Sequence, residues 1–439
     1  MNKMIKSESR LLSEATYTYR HESGLTVYIT PTSMKTAYAV LSVGYGSVHT
    51  EFTDSEGALH KTPAGIAHFL EHKMFEMEGG EDAFEMFAAY GASANAYTSA
   101  SRTSYLFSCT EHFNESLTVL LRMVFSPYFS EQSVRKEKSI IRQEILSYED
   151  QVAGKLYLGV MGSLYEKHPI RVGICGTTDS IARITPELLY TCYRAFYVPE
   201  NMVLSIAGDI DPRHVQGMLD SVLAELLPRN APACASCHID KDIAKPKVKE
   251  SEYFMTLARP ILEIGIKDCD FPSEKTAMAR RHLLVDIALQ CAFGADSLLY
   301  ERLQKTGLLN EAFSLDYSDE PGCAFALLAA ESDDPSAVSD AVYAEMERMR
   351  RNPPSEADFE RHIRCVYADY VRLFDSTEEI AEETLDNFFT GVDLLTVGEL
   401  IFSLTYGEFT DTVRALFDIE NCTKTVVYPH EWKKGRIKK

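Results

Sequence analysis

The segment 65–76 reads GIAHFLEHKMFE and carries the side chains best suited to chemistry: His68, Glu71 and His72, in the order H-x-x-E-H. On a helix His68 and His72 lie one turn apart on a shared face, so both imidazoles can reach one ion. Glu71 flanks that face, close enough to contact a water at the ion. This is the mirror of the commoner H-E-x-x-H order, with the carboxylate beside the second histidine. A catalytic zinc takes three protein ligands and keeps one position open, so a third ligand must come from a distant element. The candidate is Glu144, in EKSIIRQEI, with Glu137 two helical turns before it. A ligand plus an acceptor that orients a ligand fits this spacing. Taken alone, such a glutamate pair is more often a solvated acidic helix face.

Several elements must position these residues. Thr62-Pro63 offers a capping residue and a first-turn proline for a helix that Gly79-Gly80 would stop. Segments 25–30, 37–43 and 202–207 read as strands, 95–109 as extended, and 131–150 as a long amphipathic helix. In the second half, 252–265 and 323–330 read as strands and 276–293 as a helix. The recurring order of strands and helices suggests two copies of one α+β unit. A proline-rich, mixed-charge break divides them, giving expected domains at 1–226 and 251–439 with a linker at 227–250.

The 439 residues carry 44 basic and 65 acidic side chains, a net charge of −21, with 45% hydrophobic content. Those values exclude disorder, collagen and coiled-coil rods. The negative balance disfavours nucleic acid and anionic membrane surfaces as partners. The first eighteen residues lack a signal-type apolar block, and no run reaches the ~18 apolar residues of a membrane span, so the expected location is the cytoplasm. Ten cysteines in a large chain of this kind read as reduced thiols. Cys234-Ala-Ser-Cys237-His238 matches the attachment signature of c-type haem, but it falls in the linker and reads as an accidental, exposed pair. His60 reads as a loop residue that could border the site. The acidic run 378–383 reads as a solvated helix face.

HFLEH, followed by GASANAYTSASRTSY and then EKSIIRQEI, resembles the pitrilysin–insulinase family of inverted-motif zinc metallopeptidases. The likeness is to its half-length bacterial-type branch, related to mitochondrial processing peptidase. The resemblance implies an α+β fold of two structurally similar domains, each a mainly antiparallel sheet packed with helices, enclosing a cavity. It implies one zinc per chain on His68, His72 and Glu144, Glu71 as the base that activates water, and Glu137 as a supporting residue. It implies that Asn95, Ala96 and Tyr97 lie on an edge strand that pairs with extended substrate. The expected activity is that of a zinc metalloendopeptidase acting on peptides or unfolded segments; a non-catalytic subunit of the same fold is the alternative. One departure matters. The family's substrate clamp, an Arg and a Tyr seven apart around Gly-Leu, should match 298–313, but Gln304 and Asn310 stand near those positions and Arg302 and Tyr317 are out of register. The resemblance therefore implies a dimer, homomeric or with a same-fold subunit that lends the Arg and Tyr.

Overall fold

The computed structural model describes residues 3–227 and 233–432. Its strands are β1 (Ile5–Glu8), β2 (Ala15–Arg20), β3 (Thr26–Pro31), β4 (Ala37–Val43), β5 (Glu51–Thr53), β6 (Leu59–Lys61), β7 (Ser93–Thr98), β8 (Thr103–Cys109), β9 (Met202–Gly208) and β10 (Ser236–Cys237) in one group. A second group comprises β11 (Glu250–Met255), β12 (Ile261–Lys267), β13 (Ser314–Glu320), β14 (Cys323–Glu331) and β15 (Cys422–Pro429).

The first group forms a seven-stranded sheet in the order β1-β2-β3-β9-β4-β8-β7 and a small sheet of β10, β5 and β6. The second forms a five-stranded sheet in the order β11-β15-β12-β14-β13. Five strands of each sheet follow one plan. β3 runs parallel to β9, as β11 does to β15, and every other neighbour in those five is antiparallel. Two copies of one α+β unit are therefore present. Central strands β4 and β9 are buried at every position, so they read as continuous apolar runs instead of alternating ones.

The compact units are not the contiguous halves that the composition break suggests. One comprises Met1–Ile145, Gly173–Ile239 and Asp369–Gly398; the other comprises Leu146–Val172, Asp240–Ala368 and Glu399–Lys439. The cause is an exchange of helices. Helix Thr377–Thr390, from the second half of the sequence, lies across β9, β4 and β3. Helix Val152–Leu164, from the first half, lies across β15, β12 and β11. Each covers a sheet whose strands come from the other half of the sequence. The second helix approaches closely because residue 265 is a glycine, where a Cβ would meet Val160 Cγ1 at 2.3 Å. Of the expected linker, 228–232 lies outside the described residues, Ser236–Cys237 pairs with β5, and 238–249 has no helix or strand.

The extended segment 95–109 is in fact a hairpin, with Ser99 and Arg102 closing the turn between β7 and β8. The segment 252–265 is likewise two strands. Lys275–Lys305 has the length and composition of a membrane span, with 56% of its apolar window buried, as in the core helix of a sheet-packed unit. Cys234 and Cys237 are half-buried against the core and not exposed as expected. Burial pushes their thiols up to about 11 and 12.

Candidate metal centre

The H-x-x-E-H residues sit on helix Ile66–Lys73, which begins later than Thr62-Pro63 suggested. Gly65, at φ +87°, holds a left-handed conformation that cannot continue a helix, so the first turn starts after it. Almost the whole helix is buried, including His68 and Glu71. Helix Glu131–Glu149 buries Val134, Ile141 and Ile145 and brings Glu137 and Glu144 to the edge of that face, half-buried.

These two helices bring the four expected residues together with Glu71. His68 Nε2 lies 3.5 Å from Glu144 Oε1, and His72 Nε2 lies 3.6 Å from Glu144 Oε2. Donor atoms of His68, His72 and Glu144 all fall within 4.8 Å of one another. Nitrogen and oxygen ligands at ~2.1 Å from a tetrahedral zinc stand roughly 3.4 Å apart, so the donor set fits the ion. Glu137 Oε1 accepts from His72 Nδ1 at 3.0 Å, which fixes the ring and turns Nε2 toward Glu144. His68 Nδ1 is buried and has no hydrogen-bond partner among the described residues. Burial opposes a charge on His72, yet Glu137, Glu71 and Glu144 together raise its pKa. The hydrogen bond with His68 holds Glu144 below the usual carboxylate range.

Two residues at the site escaped the sequence reading. Thr98, at the end of β7, donates from Oγ1 to Glu71 Oε2 at 2.6 Å and so orients the carboxylate. The two-residue alternation from Ala96 was the available signal. Cys175, in the Gly-Ile-Cys-Gly turn, donates from Sγ to Glu144 Oε1 at 3.8 Å and lies 3.7 Å from His68 Nε2. Nothing in its local sequence marked it.

The remaining candidates are placed as follows. β7 is one of the two edge strands of the seven-stranded sheet and carries Asn95, Ala96 and Tyr97. Asn95 Oδ1 accepts from the Ala96 N–H at 2.9 Å. Tyr97 donates its hydroxyl to Glu382 at 2.6 Å, as Tyr38 does at 2.8 Å, so the acidic run contributes a packed carboxylate and not only a solvated face. His60, on β6, bonds Asp54 at 2.6 Å and stacks on Phe52. In the second unit, Gln304 and Asn310 are exposed, and the Tyr317 hydroxyl donates to buried Asp268, which Arg281 also holds.

Known proteins resemble this chain in sequence and in fold. Residues 26–177 match the family described as Insulinase (Peptidase family M16), and 183–365 match the Peptidase M16 inactive domain. The uncharacterized zinc protease YmfH of Bacillus subtilis is 32% identical over 429 residues, covering 97% of this chain and 100% of that protein. An M16-like peptidase from Alicyclobacillus acidocaldarius superposes with a TM-score of 0.91 at 29% identity, over 95% of this chain and 99% of the other. A protease from Helicobacter pylori, 17% identical with a TM-score of 0.79 over 98% of this chain and 100% of that one, shows the same fold. The chain belongs to peptidase family M16, and its relatives are named zinc proteases.

Proposed function

We propose that this chain hydrolyses peptide bonds in peptides or unfolded polypeptide segments, with zinc held by His68, His72 and Glu144 and with Glu71 as general base. The observation that carries this reading is the convergence of three ligand-type donors within 4.8 Å, beside a buried carboxylate that is not among them. Zinc, when bound, would polarise the scissile carbonyl and draw the pKa of water toward ~7. Thr98 occupies one oxygen of Glu71 and leaves the other to take a proton and pass it to the leaving amine. Glu137 keeps His72 in the tautomer that presents Nε2. The open edge of β7 suits an added substrate strand, in which backbone hydrogen bonds give affinity. Tyr97, tied to Glu382, fixes that strand.

A same-fold partner, a second copy or a related chain, would complete the site. Gln304 and Asn310 support this, since neither replaces the charge of an Arg or the phenol of a Tyr. The same pair of residues favours the second reading, a subunit that contributes its fold without chemistry.

Hydrolysis of a mixed peptide library by wild type and Glu71→Gln, with and without a same-fold chain carrying the Arg and Tyr, tests both. The first reading predicts that Glu71→Gln lowers the rate by roughly 10²–10⁴ and that the partner raises only the wild-type rate. Undiminished hydrolysis by Glu71→Gln removes Glu71 as the base. No hydrolysis under any condition favours the second reading.

A further inference from the structure

Thr98, which orients Glu71, is the last residue of β7, at the turn that leads into β8. That turn is closed by polar bonds at Arg102. The Ser99 N–H donates to the Arg102 carbonyl at 2.8 Å, and the Arg102 N–H donates to Ser99 Oγ at 3.1 Å. The next residue, Thr103, stands opposite Thr98 across the hairpin. Whatever holds Arg102 therefore bears on where the Thr98 hydroxyl meets Glu71.

Arg102 is held by helix Thr377–Thr390, which belongs to the same compact unit. Its Nη1 pairs with Asp386. Its Nη2 donates at 3.5 Å to the Tyr97 hydroxyl, which itself donates to Glu382 at 2.6 Å. Asp386 and Glu382 are four apart, so both carboxylates share the helix face turned to the hairpin. The guanidinium carbon stands 5.9 Å from the ring centres of Tyr97 and Phe389, the second ring coming from the same helix. The Arg102 side chain is only 17% exposed, and its Nε is buried with no hydrogen-bond partner among the described residues. A cation this far out of water depends on the partners it does have, unlike one in a solvated surface pair.

We propose that Arg102 is a positioning residue for the general base. Its pair with Asp386 fixes the end of the hairpin, so that Thr98 keeps its 2.6 Å bond to Glu71. A helix drawn from the second half of the sequence thereby sets the geometry of a base carried in the first. The inference rests on the peptidase reading, in which Glu71 takes the proton.

Kinetics on a peptide substrate, with the same-fold chain carrying the Arg and Tyr present, test this through a double-mutant cycle. Arg102→Met removes the charge and keeps the length, whereas Arg102→Lys keeps the charge. Arg102→Met and Asp386→Asn should each lower kcat by roughly 10–100-fold, with KM and zinc content little changed. Arg102→Lys should recover part of the loss. Added to Thr98→Val, Arg102→Met should cost almost nothing more, because both act through one bond. Amide hydrogen exchange across 95–105 should be faster in Arg102→Met than in wild type, and circular dichroism establishes folding. Exchange equal to wild type, or a wild-type kcat in Arg102→Met, overturns the proposal and leaves the peptidase reading standing. Losses that multiply when Arg102→Met is combined with Thr98→Val also overturn it, since they mark a general structural role. Absence of turnover by wild type overturns the peptidase reading and this inference with it.

Discussion

Glu137 shows how much of the centre depends on groups that need not touch the ion. Its single hydrogen bond at 3.0 Å decides which His72 nitrogen faces Glu144. Glu137→Gln keeps the shape and loses the charge, so chelator competition should show metal affinity lower by roughly 10–100-fold. Unchanged affinity would reduce Glu137 to a surface acid. Thr98→Val removes the donor to Glu71 and should lower kcat with KM little moved, because the base would lose orientation and not substrate contact. At this scale the sequence was informative where spacing is local. His68, Glu71 and His72 share one helix, so periodicity alone placed them on one face. Glu144 and Glu137 share another, and their pairing needed the family likeness to be distinguished from a solvated face. Thr98 reaches Glu71 through a hairpin, and Cys175 reaches His68 through a glycine junction. The alternation from Ala96 puts Thr98 on a face of its strand but does not name Glu71 as its partner, and the Cys175 contact leaves no trace in the spacing of residues.

Among the elements, strands β4, β9 and β14 and the helices 131–149 and 275–293 stood close to where apolar patterning put them. The failures have identifiable causes. The β7–β8 turn uses Ser99 and Arg102 and has neither glycine nor proline, so the hairpin read as one extended run. Gly65 delayed the histidine helix past the proline that should have opened it. Helix Thr377–Thr390 looked solvated because its glutamates are numerous, yet Glu382 accepts from two tyrosines and Asp386 pairs with Arg102. The opposite helix depends on glycine. Gly265→Val would drive a side chain into Val160 and Leu164, and should destabilise the second unit by about 1–3 kcal/mol. Urea unfolding should show this as a lower midpoint with an unchanged slope. A midpoint equal to wild type would mean that the helix does not pack as described.

For the molecule as a whole, the duplication was legible as a recurrence of strands and helices, and the exchange of helices between the halves was not. Composition marks where the chain is irregular; it carries no record of which sheet a distant helix covers. The second unit also holds a half-buried acid with a stability cost. Burial, and then the charge of Asp316, pushes Glu263 up to about 7, and its Oε2 has no hydrogen-bond partner among the described residues. Because the folded state holds this proton more tightly, stability falls as pH rises from the ordinary glutamate range through about 7, and the loss is complete above that. Glu263→Gln should flatten this slope and raise stability at pH 8 by about 2 kcal/mol, allowing for partial exposure. Thermal or urea unfolding across pH 5–9 measures it, and parallel curves for variant and wild type would contradict the assignment.

The central claim is that one ion is held between two helices by His68, His72 and Glu144, and metal analysis after dialysis against chelator tests it most directly. Wild type and Glu71→Gln should each retain about one zinc per chain, while Glu144→Gln should lose it under the same conditions with its fold intact. Full retention of zinc by Glu144→Gln would contradict the account, because the ion would then be held by some other set of residues.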